Sequence, residues 1–133
     1  MLNWEKPLSN YEICKYVQKI GGNFSNRLFR GVFSRDEIIP ELKRPHVKEF
    51  AVVNLSSRDS PGSHWVCYFK LSKNLVKYYD AYGNLAPCEE VVQYFGKNCE
   101  IVYNVNRDQD FNTVVCGQLS LCFLYMQYLI YLA

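Results

Sequence analysis

Apolar residues first recur at helical spacing after Ser9-Asn10-Tyr11-Glu12, with Ile13, Tyr16, Val17 and Ile20 on one side and Gly21-Gly22 as a stop. Ser9 followed three residues later by Glu12 is a capping box, so a helix of about three turns is predicted. Asn23 to Phe33 mixes aromatics with Arg and Gly and shows no clear period. Ser34-Arg35-Asp36-Glu37 offers a second capping box before Ile38 and Ile39, with Pro40 close behind, which predicts a short helical turn. Three β-rich runs follow, Phe50 to Leu55, Trp65 to Leu71 and Leu75 to Tyr79, each bounded by polar or Gly/Pro turns. Ser72-Lys73-Asn74 suits a hairpin loop between the last two. The middle run is apolar on both parities (Trp65, Cys67 and Phe69 against Val66 and Tyr68), which assigns it to the inside of a sheet covered on both faces.

Beyond these strands, Pro87 opens a helical pattern with Glu89 and Glu90 in its first turn, then Val91, Val92, Tyr94 and Phe95, closed by Gly96. Glu100 to Val105 reads as one more strand. A polar loop from Asn106 to Thr113 then gives way to a long uncharged helix that begins near Cys116 and runs to the C-terminus. There is no internal repeat, low-complexity tract or linker, so residues 1–133 are expected to form a single domain.

Composition narrows the function classes. At 133 residues and 49% apolar the chain can bury a core without metal or disulfide staples. Its charge of +2 comes with no run of five or six like charges, so the electrostatic case for nucleic acid is weak. Clusters such as Lys43 with Arg44 read as solvated faces. Asn3, Glu5, Lys6, Pro7, Ser9 and Glu12 leave no apolar signal-peptide segment, so the chain is expected not to be secreted and its six cysteines to be reduced. Cys14, Cys67, Cys88 and Cys122 fall in apolar or helical patterns, where a free cysteine acts as a small hydrophobe. The uncharged stretch from Phe111 to Ala133 is interrupted by Asn112, Thr113, Gly117, Gln118, Ser120 and Gln127, and is better assigned to a helix through the middle of the core than to a membrane span.

One cysteine stands apart. Cys116 lies where a polar loop turns into a helix, and a helix N-terminus favours a thiolate through its partial positive charge and unpaired N–H groups. A thiolate nucleophile needs an imidazole base, and there are only two histidines. His46 sits in a charged stretch typical of a surface. His64 precedes the central strand, and a hairpin turning near Asn74 carries Asp80, at the end of the next strand, to the same sheet edge. Taken singly, each has an ordinary structural explanation: a strand-end histidine, a turn aspartate, a buried thiol.

Together, Gly62-Ser63-His64-Trp65, Asp80-Ala81-Tyr82-Gly83, Gln109 and Cys116-Gly117 resemble the ordered motifs of the adenovirus endopeptidase group, which also includes the ubiquitin-like-protein proteases. The order His, Asp or Glu, Gln, Cys is shared, and Gln109 precedes Cys116 by seven residues (116 − 109), close to the adenovirus spacing. Similarity extends to the first helix, to Ala51-Val52-Val53-Asn54 and to Cys116-Gly117-Gln118-Leu119. Two features depart from the adenovirus pattern. The chain stops soon after Cys116, so part of the adenovirus second lobe is expected to be absent, and the third triad member is Asp where adenovirus enzymes often have Glu.

The resemblance implies an α+β, papain-like fold with permuted chain order, in which a central helix starting at the nucleophile packs against a small, mainly antiparallel sheet. It implies a cysteine endopeptidase acting on viral or virus-derived precursor proteins, with His64 as base, Asp80 orienting it, and the Gln109 amide joining the Cys116 N–H as oxyanion donor. The other readings are a protease for ubiquitin-like proteins and a catalytically inactive capsid or binding module. Trp65 would wall the substrate channel and demand small residues before the scissile bond, as in the ubiquitin-like-protein proteases, unless it is a core residue without substrate contact. Cys99, just before the last strand, matches the place where an activating viral peptide can attach by disulfide; it is otherwise an ordinary unpaired cysteine. A monomer is expected, in the virion and the host nucleus or cytoplasm, with no metal or other cofactor and no membrane; activation by DNA would also follow from the family.

Overall fold

The computed structural model describes residues 2–56, 64–110 and 113–132. In chain order its main elements are α1 (Asn10–Ile20), β1 (Phe29–Ser34), α2 (Ile38–Leu42), β2 (Glu49–Asn54), β3 (Trp65–Ser72), β4 (Leu75–Tyr79), α3 (Glu89–Phe95), β5 (Glu100–Tyr103) and α4 (Cys116–Tyr131). The architecture is α+β. The five strands lie in sequence order, so β3 is central, and Val66 to Leu71 are all buried. Both capping boxes form: Ser9 with Glu12 opens α1, and Ser34 with Glu37 opens a short turn that leads into α2.

Helices cover both faces of the sheet. Phe50, Val52, Cys67 and Phe69 point toward Ile13 and Val17 of α1 and Leu121 and Leu124 of α4, while Ala51, Val53, Val66 and Tyr68 point toward Ile38 and Leu42 of α2 and Val91, Tyr94 and Phe95 of α3. This alternation is the period-two consequence of the pleat. On the second face Glu49 is fully buried, and it is neutralised by Arg30 at 2.8 Å and bonded by the hydroxyls of Tyr68 and Tyr94.

Three expectations are corrected, and one strand had not been expected. The sheet is mixed rather than mainly antiparallel: β2–β3 and β3–β4 are antiparallel, but β1–β2 and β4–β5 are parallel. Strand β1 was not legible, because it is a half-exposed edge strand whose period is broken by a register shift at Gly31, which has φ +131°. Helix α4 does not run through the middle of the core. Gly117, Ser120, Leu121, Leu124 and Gln127 face the sheet at helical spacing, while Met126, Leu129, Ile130 and Tyr131 are exposed. With apolar residues on both sides, the sequence concealed which side is wet. Cys122 accordingly is exposed rather than a buried hydrophobe, Cys14 and Cys88 are half-buried, and all six cysteines are free. No helix of the described residues is long and apolar enough to cross a membrane.

Candidate active site

Cys116 is the first residue of α4, and α4 lies across β3 with its N-terminus at the edge where that strand starts. Cys116 is only 5% exposed. The Trp65 backbone N–H donates to its Sγ at 3.4 Å, which ties the first residue of β3 to the first residue of α4. This approach explains Gly117: a Cβ there would stand 3.2 Å from Trp65 Cδ1 and 3.3 Å from Leu8 Cβ. The Trp65 indole is fixed in turn, since Nε1–H donates to the Leu8 carbonyl at 2.9 Å.

The hairpin carries His64 and Asp80 to one edge. His64 Nε2 and Asp80 Oδ1 are 2.8 Å apart, and a carboxylate only accepts, so Nε2 carries the hydrogen. Asp80 is 1% exposed, and its Oδ1 also accepts the Tyr82 N–H at 2.9 Å. The Tyr82 ring lies over the imidazole, with centroids 4.4 Å apart and 16° between planes. The remaining ring nitrogen, Nδ1, is buried without a hydrogen bond of standard geometry among the described residues. Imidazole and Cys116 thiol are nonetheless close enough for each to shift the other's titration.

Those shifts run in opposite directions. Burial pulls the His64 pKa down, but the Asp80 hydrogen bond and the Cys116 sulfur outweigh it and raise the value to about 9. Burial pushes the Cys116 thiol up, but His64, the Trp65 N–H and the Gly117 N–H outweigh it and the net direction is down. A base raised and a thiol lowered favour transfer of the thiol proton to the imidazole, giving a thiolate–imidazolium pair. Cys67 shows the contrast: it is wholly buried without such partners, and its thiol is driven upward.

Gln109 is buried, and its backbone N–H and that of Asp108 both donate to the Ala81 carbonyl, at 3.0 and 2.7 Å. Asp108 Oδ2 accepts the Tyr79 hydroxyl at 2.8 Å. Gly83 lets the loop after Asp80 meet this one closely: its φ is +79°, and a Cβ there would lie 2.5 Å from the Asn106 carbonyl oxygen. The Gln109 side-chain Nε2 donates to the Thr113 carbonyl at 2.9 Å, three residues before Cys116, and its Oε1 is buried without a partner among the described residues. The amide is thus held beside the segment leading into α4.

No family model matches the chain, and no curated protein is significantly similar to it. A solved structure is similar: the central domain of the uncharacterized Lpg1148 protein from Legionella pneumophila, with a TM-score of 0.57, 14% identity, and coverage of 97% of this chain and 80% of that one. The likeness is one of fold.

Of the residues singled out in the sequence, His64, Asp80 and Cys116 come together with Trp65 alongside, and Gln109 stands one loop away. Gly62 and Ser63 of the histidine motif lie outside the described residues. Cys99 is far along the chain path at the opposite end of β5, half-buried, with its thiol donating to the Lys73 carbonyl at 3.5 Å. His46 is exposed. Among the described residues no group of three or more His, Cys, Asp or Glu could hold a metal. Sequence reading missed the ring of Tyr82 over His64 and the amide of Asn104 on Asp80. A signal for the first existed in its place two residues after Asp80; Asn104 carried none.

Proposed function

We propose that this chain is a cysteine endopeptidase of the papain-like, permuted kind found in the adenovirus-protease group. The observation that carries the reading is the buried Cys116–His64–Asp80 cluster at the start of α4, with His64 raised to about 9 while Cys116 is lowered. In the reaction, Cys116 Sγ attacks the carbonyl carbon of the scissile bond and its electron pair moves onto the oxygen. The Cys116 N–H and a Gln109 amide N–H stabilise that oxyanion. As it collapses, the C–N bond breaks and His64 Nδ1–H passes its proton to the leaving amine. Water, deprotonated by His64, then adds to the thioester, and as the C–S bond breaks Cys116 leaves as a thiolate beside the imidazolium, which restores the resting pair. Asp80 holds Nε2–H throughout and keeps Nδ1 facing the sulfur.

The half-buried Trp65 indole beside the thiol favours substrates with small residues before the scissile bond, and precursor polypeptides of viral or virus-derived origin are the substrate class the resemblance supports. An Asp as third member is also what the ubiquitin-like-protein proteases have, which keeps ubiquitin-like precursors within the same chemistry. The test is turnover of fluorogenic peptides ending in Gly-Gly or other small-residue pairs, with Cys116→Ala as control. Turnover that iodoacetamide and Cys116→Ala both abolish is expected, with the variant folded, because Ala at the first position of α4 is sterically mild. Activity surviving in Cys116→Ala would move the nucleophile elsewhere and overturn the reading.

A further inference from the structure

Asp80 is the last link of the proposed triad, yet nothing on its own strand fixes it, because β4 ends at Tyr79. Its backbone is held instead from the loops that follow β4 and β5: the Gly83 N–H donates to the Asp80 carbonyl at 2.9 Å, and the Asn104 side chain bonds both backbone groups. The Asp80 N–H donates to Asn104 Oδ1 at 2.9 Å, and Asn104 Nδ2 donates to the Asp80 carbonyl at 2.7 Å. A primary amide presents an acceptor and donors in one plane, as a peptide group does, so Asn104 extends the β4–β5 ladder by a side chain just where the two backbones part. The same Nδ2 also donates to the Asn106 carbonyl at 3.1 Å, and the Asn104 carbonyl accepts the Asn84 N–H at 2.9 Å.

We infer that Asn104 is a positioning residue that sets the place of Asp80 against His64 and, through the Asn106 carbonyl, the start of the loop that carries Gln109. The inference rests on the protease reading for its catalytic meaning, though the coupling to His64 is a property of the fold alone. Side-chain chemistry explains why Asn is suited to the position. Serine is too short to reach both backbone groups of Asp80, leucine satisfies neither, and aspartate lacks the donor that two of the three side-chain bonds use. Since the Asp80 hydrogen bond is the largest influence raising the His64 pKa, a loosened Asp80 releases the imidazole toward its ordinary value.

The experiment compares the unmodified chain with Asn104→Ala and, should that variant fold poorly, Asn104→Ser, with Ser34→Ala as a destabilised control whose lost capping box lies away from the cluster. His64 is titrated through its imidazole proton resonances, and the rate of Cys116 alkylation by iodoacetamide is followed against pH, with Tm recorded for each. The expected result is a His64 pKa lowered by about one unit or more in either Asn104 variant, with Cys116 alkylation near neutral pH slowed to match, and neither change in Ser34→Ala. Asn104 variants that lose Tm while His64 titrates as in the unmodified chain overturn the inference and leave Asn104 a purely structural residue. If Cys116 of the unmodified chain alkylates no faster than free cysteine, the protease reading falls, and the His64 titrations still decide the role of Asn104.

Discussion

Replacing Asp80 by Asn removes the charge from the His64 pair while leaving its shape. Among the described residues both hydrogen bonds that reach the carboxylate, from His64 Nε2 and the Tyr82 N–H, fall on Oδ1, and an Asn can present its carbonyl oxygen there. The two unit charges at roughly 4 Å and an effective dielectric of 20 attract by about 4 kcal/mol, or about 3 pKa units. That magnitude is consistent with a His64 raised from 6.5 to about 9 against an opposing burial cost. Without the charge, burial is opposed only by the Cys116 sulfur, and His64 is expected to fall toward about 6.5. At pH 7.5 the imidazolium fraction then drops from about 97% toward about 9%, and alkylation of Cys116 falls by up to about tenfold. Stability follows with a definite sign. The folded value exceeds the unfolded one, so the contribution is full below pH 6.5 and is lost as pH rises through about 9. The Tm deficit of Asp80→Asn should therefore be largest near pH 6 and shrink by pH 10. Imidazole titration by NMR, the alkylation profile and thermal melts at the two pH values check this together. An Asp80→Asn chain in which His64 still titrates near 9 would refute the pairing as the source of the shift.

Gln109→Ala should lower kcat by about 10²-fold with little change in KM, since an oxyanion donor acts mainly in the transition state; steady-state kinetics on the same fluorogenic peptide check it, and an unchanged kcat removes Gln109 from the site. Gly83→Ala should cost more than about 2 kcal/mol in urea unfolding, because its Cβ would overlap the Asn106–Arg107 backbone and its φ of +79° disfavours an L side chain. The kcat/KM profile for the fluorogenic peptide should be bell-shaped, falling on the acid side as the thiolate is protonated and on the basic side near pH 9 as the imidazolium that protonates the leaving amine is lost; an alkylation profile that rises only where a free thiol ionises would show that no ion pair forms.

How much of this was legible depended on where the signal lives. Capping chemistry is local, and both boxes appear where Ser9 and Ser34 announced them. Burial on both parities of β3 identified the central strand for the same reason: the pattern is carried by the residues themselves. β5 was expected to reach Val105 but ends at Tyr103, because the Asn104 side chain replaces the backbone as partner of Asp80, and a side chain's choice between solvent and a neighbouring strand leaves no periodic trace. The edge strand β1 was invisible because it needs neither alternation nor burial to pair on one side with β2. Cys116, His64 and Asp80 were found through chemical type and order, whereas Tyr82 and Asn104 act through ring stacking and backbone bonds that any aromatic or amide in a loop could make.

The parallel pairing of β4 with β5, which sequence did not suggest, is what brings the Gln109 loop to the edge that holds the cluster. β3 begins where β4 ends, since they pair antiparallel with Cys67 opposite Tyr79, so His64 and Asp80 meet there whatever follows. Helix α3 then crosses over the sheet and returns the chain for β5 to run alongside β4 in the same direction, with Tyr78 opposite Tyr103. Both strands therefore release their C-terminal ends at the edge that holds His64. Asn104, Asn106 and Gln109, which follow β5, fall within reach of Asp80, Ala81 and Gly83, which follow β4. Had a short hairpin joined β4 to an antiparallel β5, Glu100 would stand near Asp80, and the Gln109 loop would leave from the far side of the sheet. The crossover helix, which packs on the face of the sheet opposite α4, is thus the element that decides whether the Gln109 loop can join Cys116, His64 and Asp80 at all.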